Sequence, residues 1–169
     1  MVFVSGQLAC VRIVGRANFT SSIEFKALLN ELIDKGYRCF VLDLADCALM
    51  DSTFLGVLAG FGLRLSPAPN GPNGNTGIEL LNPTPRISEL LENLGILHLF
   101  HVVAGPTPVP AEALATPAAS VPAPTHEEVT RTCLEAHQLL MSVSPANVPK
   151  FKDVAEFLAE DLRKSVPGS

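Results

Sequence analysis

Leu49-Met50-Asp51-Ser52-Thr53-Phe54-Leu55-Gly56-Val57-Leu58 is the stretch on which the reading of this chain turns. Upstream of it, residues 39–44 form an apolar run that reads as a buried strand. A short polar turn then places Asp51, Ser52 and Thr53 where an apolar helix begins. The first N–H groups of a helix have no partner within it, and that end carries partial positive charge. A serine phosphate there can meet those donors, while its charge can still spoil a partner surface. Asp and Ser are also preferred N-cap residues. On this stretch alone a plain cap is the better reading, and only the order of the surrounding elements reverses it.

Working outward, residues 2–4 and 8–14 read as two strands around Ser5-Gly6-Gln7, a hairpin. In the first helix Ser21 and Glu24 have capping-box spacing, Phe25, Leu28, Leu29 and Leu32 share a face, and Gly36 marks the stop. The helix from Asp51 to about Leu65 carries Phe54, Leu58, Phe61 and Leu65 on one stripe. Its Gly56, Ala59, Gly60 and Gly62 lower helix propensity, so they predict close approach to a sheet or a partner. Residues 66–77 are a loop, nine of the twelve being Pro, Gly or Asn. Residues 78–81 are the next strand, Thr84-Pro85 starts a helix with Ile87, Leu90, Leu91 and Leu94 inward, and residues 99–103 are a last strand. Alternating strands and helices predict an α/β fold with a mixed, largely parallel sheet and crossover helices.

Residues 105–124 break the pattern. Six Pro and six Ala among twenty residues predict an extended linker. Beyond it, Thr125 and Glu128 have capping-box spacing, and Val129, Cys133, Ala136 and Leu140 share a helical face. After Ser144-Pro145, Phe151, Val154, Leu158 and Leu162 mark a second helix. This C-terminal helical hairpin, residues 125–165, needs a surface for its apolar stripes. It should fold back on residues 1–104 or pair across a homodimer.

Composition bounds the function. At 169 residues the chain holds one domain plus an appendage. A net charge of −5, with no basic stripe, tilts against nucleic acid. No basic and apolar leader opens the chain, and no apolar run approaches the roughly 20 residues of a spanning helix. Cys10, Cys39, Cys47 and Cys133 form no C-x-x-C pair, so a reduced, cytoplasmic protein without metal or cofactor is expected.

The order of elements, with Val41-Leu42-Asp43-Leu44, then Met50 to Leu58, then Ile78-Glu79-Leu80-Leu81-Asn82-Pro83 with Arg86, and Leu94-Gly95-Ile96 with Leu99-Phe100, resembles the STAS domain. More narrowly it resembles the bacterial anti-sigma-factor antagonists, and the likeness covers residues 1–104. It implies a phosphoprotein that regulates transcription by binding an anti-sigma factor, itself a serine protein kinase, and so frees a sigma factor. A serine phosphatase would reset it. By the same resemblance Ser52 is the phosphorylated residue, Thr53 the alternative, and Asp51, Ser52, Thr53 and Phe54 the partner-binding surface. Phe54 stands where many members carry Gly, and the 66–77 loop is longer than usual.

Other readings compete. A non-switched STAS module could serve a transporter or a signalling scaffold, or the domain could bind a small ligand or nucleotide. Ser52 as a catalytic nucleophile would need a base and an oxyanion hole, and no G-x-S-x-G elbow surrounds it. His98 and His101 make a poor metal pair near a strand. Asp43, Asp46 and Asp51 could hold magnesium, but solvated loop carboxylates are the simpler account. Gly56, Gly60 and Gly62 lack the Gly-Lys-Ser/Thr of a phosphate loop. The expectation is therefore a non-enzymatic switch.

Overall fold

Period-2 burial organises the main sheet. The structure, a computed structural model, describes residues 2–5, 8–65, 77–106 and 122–165. Strands β1 (Val2–Ser5), β2 (Leu8–Arg12), β4 (Cys39–Asp43), β6 (Gly77–Leu81) and β7 (His101–Val103) form one sheet in the order β1-β2-β4-β6-β7. Only β1 runs antiparallel to its neighbour. Ala9, Val11, Phe40, Leu42, Ile78 and Leu80 point to the face that holds the main core, while Cys10, Val41 and Leu81 form a smaller cluster of their own. Burial on both sides explains the unbroken apolar run of β4.

Helices α1 (Phe19–Asp34), α2 (Ser52–Arg64) and α3 (Pro85–Asn93) contribute Phe25, Leu29, Leu58, Phe61 and Ile87 to the main core. The expected stripe of α2 is present: Phe54, Leu58, Phe61 and Leu65 are all buried. Gly36 and Gly95 follow α1 and α3 with φ of +99° and +68°, the left-handed conformation that glycine adopts at little cost. Thr84 caps α3 through the N–H of Ile87, with Pro85 in the first turn.

Several local expectations are corrected. The capping box of α1 is built by Asn18 and Ser21, not Ser21 and Glu24. The Asn18 carboxamide accepts from Thr20 and Ser21 N–H at 3.1 and 3.0 Å, and the Ser21 hydroxyl accepts from Asn18 N–H at 2.9 Å. The polar turn before Asp51 contains a strand, β5 (Cys47–Met50), which pairs in parallel with β3 (Gly15–Ala17). Both are too short for a period to show in the sequence. Leu97–Leu99 is a 3₁₀ turn, so the last strand begins only at His101. The turn at residues 6–7, the loop at 66–76 and residues 107–121 of the expected linker lie outside the described residues.

The C-terminal stretch forms α4 (His126–Val143) and α5 (Val148–Ser165). The Thr125/Glu128 capping box is present, and the backbone N–H of Thr125 holds the Glu128 carboxyl below its ordinary pKa. Helix α4 packs on α2 on one side and α5 on the other. Its buried set therefore extends beyond the expected face to Thr130, Leu134 and His137. On α5, Ala155 is buried and Val154 exposed, so the inward face is turned from the expected Phe151, Val154, Leu158 and Leu162 line. The corner between the two helices is pinned to the end of α3. Fully buried Asn147 donates through Nδ2 to the carbonyls of Leu94 and Leu140, both at 2.8 Å, and Lys150 Nζ donates to Asn93 O at 2.9 Å. Helix C-termini carry unsatisfied carbonyls, so these donors meet an existing demand.

Candidate functional site

Asp51 anchors the site from both sides. Its Oδ1 accepts from Phe54 N–H at 2.8 Å, which makes Asp51 the N-cap of α2. Its Oδ2 accepts from Phe19 N–H at 2.7 Å, at the first residue of α1. One carboxylate thus joins two helix N-termini, where partial positive charge favours an anion. The Asp51 N–H donates to Ala17 O at 2.9 Å, which ties the same turn to β3. Phe19 is 47% exposed beside this carboxylate. Nothing in its spacing marks it out in the sequence.

Ser52 is the first residue of α2 and is half-buried. Its hydroxyl lies 2.9 Å from Nε2 of His137 on α4. The other ring nitrogen, Nδ1, lies 2.6 Å from the carbonyl of Cys133. A carbonyl only accepts, so Nδ1 carries a proton; in the neutral ring Nε2 is then an acceptor, and Ser52 donates to it. The ring of Phe151 packs on His137 at 5.1 Å between centroids. Eighty-five residues separate Ser52 from His137, so no local motif joins them. The available signal was that His137 lies four residues after Cys133, on the apolar side of α4.

The next two positions turn inward. Thr53 is 4% exposed and its hydroxyl donates to the Cys133 sulfur at 3.5 Å. Phe54 is 2% exposed and packs on Phe25 at 4.8 Å between ring centroids. The expectation that Thr53 and Phe54 form part of a partner-binding surface is therefore corrected: both side chains are buried and support the turn from beneath. Phe54 lies on the inward stripe of α2, where its ring gains burial against Phe25 in the core between α1 and α2.

The small residues of α2 face α4 and the end of the sheet. A Cβ on Gly56 would stand 2.5 Å from the Ala136 carbonyl oxygen, and one on Gly62 2.9 Å from the Phe100 ring. The expected close approach is thus made, and at Gly56 the neighbour is the chain's own hairpin. These glycines lie inside the helix, where their N–H groups belong to the helical ladder. Beside the seam of α2 and α4 lies a cavity of about 290 Å³, lined by Lys26, Asn30, Gly60, Arg64, Glu135 and Leu139 among others. Lys26 pairs with Glu135 at 3.0 Å, and Arg64 donates to Asn30 at 2.8 Å.

Asp43 is fully buried at the end of β4, 3.9 Å from the Arg12 guanidinium, and Asp46 pairs with the same arginine. The three carboxylates considered for magnesium are therefore split between an arginine and two helix ends. Among the described residues no cluster of three or more His, Cys, Asp or Glu could hold a metal ion, and no helix is long and apolar enough to cross a membrane. Cys10, Cys39, Cys47 and Cys133 are not joined in disulfides, and burial pushes the first three up in pKa.

A mixed sheet in the order β1-β2-β4-β6-β7, with a capped serine starting the helix after its central strand, places the chain in the STAS class of α/β domains. The family model of the STAS domain matches residues 2–107, and the chain belongs to that family. Its fold is also found in solved anti-sigma factor antagonists. The unphosphorylated form of SpoIIAA is 16% identical, with a TM-score of 0.51 over 61% of this chain and 86% of that one. A Thermotoga maritima protein, solved as a candidate anti-sigma factor antagonist, is 18% identical, with a TM-score of 0.53 over 63% of this chain and 86% of the other. No curated protein sequence matches significantly. At these identities the likeness is one of fold.

Proposed function

We propose that this chain is an anti-sigma factor antagonist. It binds an anti-sigma factor through the turn around Asp51 and Ser52, with Phe19 as an apolar contact, and thereby frees a sigma factor. The observation that carries the reading is the position of Ser52. Its hydroxyl opens α2 at a turn braced by Asp51, in a STAS fold shared with solved antagonists. The anti-sigma factor acts as a serine kinase. Ser52 Oγ attacks the γ-phosphorus of ATP, the bond to the ADP oxygen breaks, and the hydroxyl proton leaves to a base. Phosphate at this turn adds negative charge beside Asp51 and weakens the complex. A serine phosphatase hydrolyses the ester and restores binding. Residues 1–104 form the switch domain, 105–124 the linker and 125–165 the helical extension.

The protein performs no catalysis in this account. A serine beside a histidine is a possible nucleophile and base. Here the pair packs at the seam of α2 and α4 under Phe151, and its geometry is that of a contact between elements. The same contact favours a second reading, a static STAS assembly module in which Ser52 serves only to hold α4.

Incubation with ATP and an anti-sigma factor kinase recovered as its partner tests the choice. One phosphate is expected, mapped to Ser52 by intact mass and peptide analysis, and none in Ser52→Ala. Buried Thr53 should remain unmodified. A protein that binds its partner but never takes phosphate would support the static module.

A further inference from the structure

We infer that the α4–α5 hairpin is a releasable cover on the switch face of α2, held in place of the partner. The inference rests on the proposed role of Ser52 and extends it to what controls access. Three contacts of α4 fall on one strip of α2. At its start, Ser52 bonds to His137 at 2.9 Å. One residue on, Thr53 bonds to Cys133 at 3.5 Å. One turn further, Gly56 has no side chain, and Ala136 on α4 fills the place where a Cβ would be. The strip is thus shaped for a helix that presents a small residue over Gly56 and a hydrogen-bond acceptor to Ser52. Helix α4 is such a helix, and a partner's helix of the same kind would have to displace it.

Phosphate and cover exclude each other by space. A phosphoryl group adds three oxygens to an atom that already stands 2.9 Å from His137 Nε2, whose ring is packed against Phe151. Its charge would also lie at a half-buried helix seam, partly removed from water. The step from ATP to Ser52 therefore needs the hairpin open, and the product keeps it open. Asn147 on Leu94, Lys150 on Asn93 and Leu140, fully buried in the main core, hold the corner without Ser52, while Thr53 with Cys133 and Lys26 with Glu135 part when the start of α4 lifts. The corner at Ser144 and Pro145 can therefore stay attached while α4 lifts from the start of α2.

Amide hydrogen exchange on the full chain tests this without a kinase. Ser52→Glu puts charge where phosphate would sit. Ala136→Glu opposes docking from the hairpin side and leaves the STAS domain unaltered. Both should raise exchange across α4 by about tenfold or more, while β4 and β6 keep their protection. Ser52→Ala should leave α4 closer to wild type than either. Unchanged exchange of α4 in Ser52→Glu would overturn the inference. So would loss of protection in β4 and β6 together with α4, since the hairpin would then be an inseparable part of the fold. Release in Ser52→Glu by a protein that takes no phosphate would keep the cover and refute the kinase switch. Phosphorylation of Ser52 with α4 still protected would do the reverse.

Discussion

Phe54→Ala is expected to destabilise the protein by about 3–5 kcal/mol, the range for truncating a buried aromatic residue. Phe54 is 2% exposed, packs on Phe25, and belongs to the main core together with Leu55 and Leu58. Its removal takes away apolar burial and leaves a void between α1 and α2 that neighbouring rings fill only in part. Such a loss is a large share of a domain's usual stability. Ser52, two residues earlier, gives the contrast. Ser52→Ala removes one hydrogen bond to His137 and should cost about 1 kcal/mol. The cap itself belongs to Asp51 and is untouched. Chemical denaturation monitored by circular dichroism reads both values. A Ser52→Ala effect equal to that of Phe54→Ala would make Ser52 a structural residue. A small Phe54→Ala effect with strongly reduced partner binding would return Phe54 to the surface.

Gly56→Ala should destabilise by about 1–3 kcal/mol, against the ordinary trend. In an exposed helix interior the same change gains up to about 1 kcal/mol, because alanine is the better helix former. Here the new methyl group would lie 2.5 Å from a backbone oxygen of α4, and backbone cannot yield as a side-chain tip can. Gly60→Ala, one turn along the same helix, meets only the Leu139 Cδ2 methyl at 3.3 Å. That methyl can rotate away, so Gly60→Ala should be neutral or stabilising. Thermal melts of the two full-length variants make the comparison. Equal effects at the two glycines would mean that α4 does not press on α2 at Gly56.

The central strand, the stripe of α2 and the Thr84-Pro85 start of α3 could be read from the sequence because local propensity and burial agree there. The ribbon of β3 and β5 could not. Each strand has three or four residues, and its pairing depends on where the turn after β4 brings the chain. The sequence points to the wrong cap of α1 because Ser21-x-x-Glu24 fits the usual Ser/Thr-x-x-Glu/Gln pattern, whereas the box is built from an amide and a hydroxyl, Asn18 and Ser21. Only the geometry of residue 18 separates them. At the site, the serine at the start of α2 was legible from the Asp-Ser-Thr order. The partners of that turn were not, because Phe19 and His137 reach it through tertiary packing. The four small positions in α2 announced a close neighbour. That the neighbour includes α4 follows from a fold-back which no periodicity specifies.

On the proposed function, a phosphate on Ser52 switches binding of an anti-sigma factor. A direct test is titration of the partner with the full-length protein before and after phosphorylation, followed by isothermal calorimetry at fixed ionic strength. The unphosphorylated protein should bind, and the protein phosphorylated at Ser52 should bind about tenfold more weakly or worse. Equal affinity of the two forms would contradict the account.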